Sequence, residues 1–273
     1  MDLEHIRIKP AWPKSKEDTW AGLFEHLDGN SEKKTPARLL PLWYYAAAGL
    51  LIPIILVCCF YTKTVTISRG EQAAVQLPDR STVTLNAESK LSYKPLIWMI
   101  ARTINAPAGL FSSWTTTRKV RLEGEAFFEV TSGSRFSVVT GDKRVNVLGT
   151  TFNVYARPEM YRVNCLSGQV EVQTGQETVV LQPNMQVVLH ARQLKIDKNV
   201  MTSIANGWMY GMFVFEGTPL REVVAEIERQ YNIHVTADYD HSHLFTGIFS
   251  KTDNPEEILE VIGKAFGITF SRE

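Results

Sequence analysis

Arg121-Leu-Glu-Gly-Glu-Ala-Phe-Phe-Glu-Val130 alternates along its length, setting Glu123, Glu125 and Glu129 on one face against Leu122, Gly124, Ala126 and Phe128 on the other. Alternation with a period of two is the mark of a strand, whose successive side chains point to opposite faces of a sheet. The runs on either side have the same character: Val65-Thr-Ile67, Ala74-Val-Gln-Leu77, Thr82-Val-Thr-Leu85, Phe136-Ser-Val-Val139, Val145-Asn-Val-Leu148, Phe152-Asn-Val154, Val170-Glu-Val172 and Thr178-Val-Val-Leu181. Turn residues separate them at Pro78-Asp79, Gly133, Gly141-Asp142, Ser167-Gly168, Gly175 and Pro183-Asn184. No helical period of useful length appears between Val65 and about Leu194. An all-β domain over residues 63–200 follows, with sandwich, jelly-roll and solenoid-like arrangements all compatible with strands this short.

The three glutamates raise the question of enzymatic chemistry. Glycoside hydrolysis needs two carboxyl groups facing each other across a cleft. Three carboxylates along one strand read instead as its solvated face. No phosphate-cradling loop, Gly-x-Ser-x-Gly elbow or His-Glu-x-x-His pair occurs, so the sequence points to no enzyme and to no cofactor. His234, His241 and His243 gather with Asp238 and Asp240 in a polar stretch, which reads as solvated loop rather than metal site. Cys58 and Cys59 lie in an apolar run and leave Cys165 alone, so no disulfide framework is expected.

C-terminal to the strands, over 205–273, a small α+β domain reads as two β-α-β halves. Phe213-Val-Phe215 and Ile233-His-Val235 flank a helical pattern of Leu220, Val223, Val224 and Ile227, opened by Thr218 and Pro219. At one constant offset Val223 meets Ile258, Val224 meets Leu259, Ile227 meets Ile262, Tyr231 meets Phe266, Ile233 meets Ile268 and Val235 meets Phe270. Six matched apolar positions indicate an internal duplication. Asn254-Pro255-Glu-Glu257 opens the second helix in a capping-box arrangement. Within the β region, Pro95 to Trp114 form an apolar excursion with Leu96, Ile97, Trp98, Met99, Ile100, Leu110 and Phe111. It reads equally as a hairpin or loop packed on the domain and as a partner-contact patch.

N-terminal to the strands, residues 39–62 carry no Asp, Glu, Lys, Arg or His, with Trp43, Tyr44 and Tyr45 near one end and Phe60 and Tyr61 at the other. About 20 apolar residues suffice to span a bilayer, and aromatic belts mark its interfaces. One crossing is expected, with the flanking charges placing the N-terminus inside. Residues 1–38 form the inner tail, with seven basic and seven acidic residues, a balance that argues against direct nucleic-acid binding. Lys+Arg and Asp+Glu number 29 each over the whole chain, so no overall field points to an acidic partner. In the tail, Trp20, Leu23, Phe24 and Leu27 share one helix face, Ser15 and Asp18 offer a cap, and Gly29-Asn30 a stop. A helix this short needs a surface to fold against. Its acidic polar face favours a protein groove over the membrane surface.

Several of these motifs together resemble one family. Leu77-Pro78-Asp79-x-Ser81, Leu85-Asn86-Ala87-x-Ser89, Gly124-Glu125-Ala-Phe127-Phe128-Glu-Val130, Val147-Leu-Gly149-Thr150-x-Phe152-Asn-Val154 and Ser167-Gly168-x-Val-x-Val172 look like the FecR family of sigma-factor regulators. Trp208-x-x-Gly211-x-Phe213-x-Phe215, Glu228-Arg229-x-Tyr231 and Phe245-x-Gly247-x-Phe249 resemble its C-terminal domain, which is similar to the secretin and TonB short N-terminal fold, in the form typical of Bacteroidetes. Arg80 and Asn184 stand where the family usually has glycine, so positive φ is expected at both. The resemblance implies a single-pass inner-membrane anti-sigma factor with a cytoplasmic N-terminus and periplasmic C-terminal domains. It implies an extracytoplasmic-function sigma factor held by Trp20, Leu23, Phe24 and Leu27, and a signal from the signalling domain of a TonB-dependent outer-membrane receptor. Trp98, Phe111, Trp208, Phe213 and Phe215 are the candidate receptor contacts. The alternative reading is a membrane-anchored periplasmic module that binds glycan or protein without regulating a sigma factor.

Overall fold

The computed structural model describes residues 15–28, 42–103, 118–158, 160–175, 177–190, 193–200, 206–239 and 243–272, with the side chains at 26–28, 42–48, 58, 59 and 100–103 outside the description. The first two elements are helices. α1 (Lys16–Asp28) begins with the expected cap in reciprocal form: Ser15 Oγ accepts the Asp18 N–H at 3.2 Å, and the Asp18 carboxylate accepts the Ser15 N–H at 3.4 Å. α2 (Leu42–Phe60) is a helix of nineteen residues with Pro53 inside it. Its described side chains are 49–57 and Phe60, and among the described residues no helix is long and apolar enough to cross a membrane.

Thirteen strands follow: β1 (Lys63–Ile67), β2 (Ala73–Gln76), β3 (Thr82–Leu85), β4 (Ser89–Tyr93), β5 (Arg118–Glu129), β6 (Phe136–Thr140), β7 (Lys143–Val147), β8 (Thr151–Ala156), β9 (Met160–Ser167), β10 (Val170–Thr174), β11 (Glu177–Leu181), β12 (Met185–His190) and β13 (Gln193–Lys198). They form one sheet, ordered β11-β10-β7-β6-β5-β8-β9-β12-β13, with β1-β4 and β2-β3 attached to β5. The domain is a single sheet curled on itself, with β5 shared between its two halves. The topology of β5 requires this curl. Its first half pairs with β4 and, in parallel, with β6; its second half pairs with β3 and β8. A straight twelve-residue strand would be about 36 Å long at ~3.3 Å per residue. The connection 130–135 can reach only about 25 Å, yet it must bring β6 back beside the start of β5. The strand has to bend, and it does so at Gly124.

Gly124 has φ 101°, and a Cβ there would lie 2.8 Å from Ser89 Cα, so only glycine fits. Inside the curl Phe128 stacks on Phe152 (4.9 Å between centroids, planes 7° apart), and Phe136 meets Phe128 edge-on. Leu85, Leu91, Leu122, Val154, Val163, Val172 and Leu181 complete a fully buried core. Burying each such side chain contributes roughly 1.5–3 kcal/mol.

Several expectations change here. The sequence pattern passed over the strands 89–93, 160–167, 185–190 and 193–198; in the first two, Ser89 and Asn164 take buried positions that a simple alternation would make apolar. The excursion opens as a helix, α3 (Pro95–Thr103), whose Trp98 packs against Tyr93 and Phe136. Nine residues are too few for periodicity to register beside an apolar run. Arg80 (φ 70°) and Asn184 (φ 64°) adopt the left-handed conformation expected of them.

The C-terminal domain comprises β14 (Met212–Pro219), α4 (Leu220–Tyr231), β15 (Val235–Thr236), β16 (Leu244–Ser250), α5 (Pro255–Phe266) and β17 (Ser271–Arg272). The two halves interlock: β14 pairs with β16 and β15 with β17, both antiparallel. Leu220, Val223, Val224 and Ile227 of α4 and Ile258, Leu259 and Ile262 of α5 share one core with Phe213, Phe215 and Phe245. Thr218 and Pro219 remain in β14, so helix α4 starts at Leu220 without a side-chain cap. At α5 Asn254 Oδ1 accepts the Glu256 N–H at 3.0 Å. The expected return bond from Glu257 is not found among the described residues, and it is Glu256 that pairs instead, with Arg272.

Candidate functional site

The family-like motifs brace loops and place one carboxylate. Asp79 accepts both the N–H (3.1 Å) and the hydroxyl (2.7 Å) of Ser81, and an ion pair of 2.6 Å joins it to Arg118. Arg118 also donates to the carbonyls of Thr131, Ser134 and Leu148, tying down the reversal between β5 and β6. Leu77 is buried beside this turn. Gly149 passes so close to Ser132 that a Cβ would lie 2.7 Å from its Cα. Gly168 (φ 76°) lies against the Gly149 carbonyl, and Thr150 Oγ1 donates to Gln169 O at 3.1 Å. Phe127 is buried on the opposite face of β5 from the stacked Phe128.

Glu125 departs from the sequence reading. It is 3 % exposed, not part of a solvated strand face. The bend at Gly124 brings it over the outer face of the sheet, where its two carboxylate oxygens accept Asn86 Nδ2–H and Asn153 Nδ2–H, each at 2.8 Å. The C-terminal domain covers this spot. Gln230 of α4 donates from Nε2 to Asn86 Oδ1 and to Glu226 Oε1, both at 2.8 Å. Arg229 donates from Nε and an Nη to Glu226 Oε2 (3.0 and 2.8 Å) and from an Nη to Tyr155 Oη (3.2 Å). Tyr155 Oη donates in turn to Glu222 at 3.2 Å, and Trp208 Nε1 lies 3.4 Å from Asn153 Oδ1. Backbone groups close the edge: the Gly70 N–H donates to Arg229 O at 2.7 Å, and Lys251 Nζ to Gly70 O at 3.2 Å. Around the buried network remains a cavity of about 60 Å³, lined by Glu125, Tyr155, Arg162, Trp208, Glu222 and Glu226. It has room for a few water molecules at most.

The electrostatics of this seam are divided. Burial drives the Glu125 carboxyl above its ordinary range, and the nearby Glu226 carboxylate adds to the rise; Arg162 and the two asparagines offset only part of it. Burial also acts on Glu226, but the charges of Arg229 and Arg157 and the hydrogen bonds from Gln230 and Arg229 outweigh it and hold that carboxyl low. Burial and then Glu226 push the Tyr155 phenol up, so it stays a donor. The Arg157 and Arg162 guanidiniums lie 6.0 and 5.3 Å from the Tyr155 ring centroid. No nucleophile sits beside a base here, and the Cys165 thiol is pushed up to about 11 by burial alone. The arrangement is suited to holding two domains together, at a strength that depends on every buried charge keeping its partner.

The other candidates divide by exposure. Trp20 (59 %), Leu23 (51 %) and Phe24 (61 %) of α1 are open, with the Trp20 and Phe24 rings 6.3 Å apart; the Leu27 side chain lies outside the described residues. Of the receptor-contact candidates, Trp98, Phe213 and Phe215 are core residues and Trp208 is sealed in the seam, so burial removes all four from the surface of this conformation. Phe111 lies outside the described residues. His243 stacks on Phe266, His234 pairs with Glu228 at 2.9 Å, and His241 and Asp240 lie outside the described residues. Among the described residues no group of three metal-type ligands assembles. The seam residues Asn86, Tyr155, Glu222, Glu226 and Gln230 were missed. One signal was available: the polar side of the α4 sequence carries Glu222, Glu226, Arg229 and Gln230, the complementary charges of a helix buried on both sides.

Residues 63–171 match the family described as FecR protein, and residues 212–273 the family described as FecR, C-terminal. Two crystal structures of a putative anti-sigma factor from Parabacteroides distasonis are similar. One has 28 % identity and a TM-score of 0.67, over 78 % of this chain and 95 % of that one; the other has 27 % identity and a TM-score of 0.66, over 77 % and 95 %. No curated protein matches this chain.

Proposed function

This chain belongs to the FecR family and carries the FecR C-terminal domain; on that premise we propose that it is an anti-sigma factor whose α1 helix holds the sigma factor. The family is not enzymatic, so its output is binding. The observation that carries the reading is the capped α1 helix with Trp20, Leu23 and Phe24 exposed together on one face. A stripe of large rings open to water is costly unless a partner covers it.

In this reading residues 1–38 lie in the cytoplasm and bind an extracytoplasmic-function sigma factor. α2 crosses the inner membrane: its nineteen residues, at ~1.5 Å each, span about 28 Å, close to the ~30 Å of bilayer hydrocarbon. No Asp, Glu, Lys, Arg or His occurs from Leu39 to Thr62. The β domain and C-terminal domain then face the periplasm, where the signalling domain of a TonB-dependent receptor engages them. The burial of Trp98, Trp208, Phe213 and Phe215 supports a receptor footprint on other residues, or one that forms after the seam opens.

The test is Trp20→Ala with Phe24→Ala in the full chain, measured by sigma-factor co-purification and target-gene repression. Loss of an anchoring ring typically costs about 2 kcal/mol, roughly thirtyfold in affinity. Co-purification and repression that stay at wild-type levels would overturn the assignment of this helix.

A further inference from the structure

Glu125 is bonded only to neutral donors, Asn86 and Asn153, as Glu222 is to the Tyr155 phenol, but Glu125 alone of the two is joined by a relay to a second carboxylate. A relay of hydrogen bonds runs from it through Asn86 and Gln230 to Glu226 on the other domain, and both carboxylates line the same small cavity. The charged and titratable groups around Glu125 come from four places. β8 brings Tyr155, the segment after it Arg157, β9 Arg162, and α4 brings Glu222, Glu226 and Arg229. The cations are largely engaged elsewhere. Arg229 is bonded to Glu226 and Tyr155, and Arg157 donates to the carbonyls of Ala87 (2.7 Å) and Glu88 (2.6 Å). Among the described residues Arg162 is the cation left to face Glu125, and its Nε is buried without a partner, as are Arg157 Nε and Gln230 Oε1.

We propose that this seam is a proton-linked latch: a proton on Glu125 favours docking of the C-terminal domain onto the β domain, and loss of that proton favours release. Undocking takes Glu226 away from Glu125 and opens it to water, leaving its asparagine partners in place. Its raised docked affinity for a proton sets the sign. The contribution of Glu125 to docking is full below the ordinary carboxyl value near 4.5 and is lost as pH rises through its raised docked value. Glu226, held low, has the opposite sign: its contribution is full above that ordinary value and is lost as pH falls through its depressed one. The latch is tightest near mildly acid pH and loosens upward. This concerns the docking of two domains and does not depend on what α1 binds, so either test can fail without the other.

The experiment uses the full chain in detergent micelles. Hydrogen exchange of the α4 amides (220–231) is followed from pH 5 to 8 in wild type and in Glu125→Gln, and the ratio of the two at each pH cancels the intrinsic pH dependence of exchange. The wild-type to variant ratio is expected to rise steadily, by at most tenfold per pH unit for one proton. Glu257→Gln, at the exposed position of α5 that corresponds to Glu222 of α4, tracks wild type. A flat ratio overturns the latch, as does Glu125→Gln that is open at every pH, since Glu125 would then serve as an ionised acceptor. Infrared spectra of ¹³C-glutamate-labelled protein provide a measurement independent of that variant's folding. A protonated-carboxyl band that persists to higher pH than those of the exposed glutamates supports the proposal; a set of bands that all fade together rejects it.

Discussion

Val223, Val224 and Ile227 of α4 and Ile258, Leu259 and Ile262 of α5 occupy equivalent places in two copies of one motif, and all six are buried. Both helices end on a left-handed residue, Asn232 (φ 51°) or Gly267 (φ 70°). In both, the following N–H returns to the same helical carbonyl, Ile233 to Glu228 at 3.2 Å and Ile268 to Gly263 at 2.9 Å. The outward faces have parted. Glu222, Glu226, Arg229 and Gln230 are buried, and their counterparts Glu257, Val261, Lys264 and Ala265 are exposed. The inward face is constrained by the core that both copies share. The outward face of α4 has become the docking surface for the β domain, and only there do the polar side chains form a connected network.

This contrast can be broken in three ways. The largest effect is expected at the arginine. Arg229→Ala leaves Glu226 buried without its cation, which typically costs about 3–5 kcal/mol; Lys264→Ala, on the open face, is expected to leave the unfolding midpoint where it was. Thermal unfolding of the full chain in micelles compares them, and equal shifts would mean that the seam is not what separates the copies. The second pair tests the shared core. Ile227→Ala and Ile262→Ala, both at residues no more than 1 % exposed, are expected to cost about 2–5 kcal/mol each, by similar amounts. A loss at only one of them would mean that the halves do not share a core. The smallest effect lies at the caps. Gly267→Ala meets no neighbouring atom within 4 Å, so its cost is conformational alone, about 1 kcal/mol. Asn232→Gly is expected to change stability by only a few tenths of a kcal/mol.

The duplication was legible because apolar spacing on a helix is local information, and the six matched pairs needed no tertiary contact to be seen. The strands with strong alternation were legible for the same reason. Those at 89–93, 160–167, 185–190 and 193–198 were not, because Asn164, Arg162 and Ser89 take positions whose burial depends on what lies across from them. Glu125 was read as solvated for that reason too: alternation tells which face a residue occupies and nothing of what covers that face. Both readings of Trp98 stayed open because an apolar cluster in a long connection looks the same in sequence whether it packs inward or outward.

By itself the sequence determined the order of parts: a capped aromatic helix, an uncharged apolar run, a strand-rich domain and a duplicated α+β domain. Its turn signals also fell on Gly168 and Asn184, which both adopt positive φ, whereas the need for glycine at Gly124 comes from Ser89 across the sheet. The tertiary structure decided the curl of the sheet, because β5 has to serve two sets of partners with a connection too short for a straight strand. It also decided the fate of Glu125. A carboxylate's surroundings are set by groups distant in sequence, here Asn86, Asn153 and α4, and its charge depends on whether they are assembled around it.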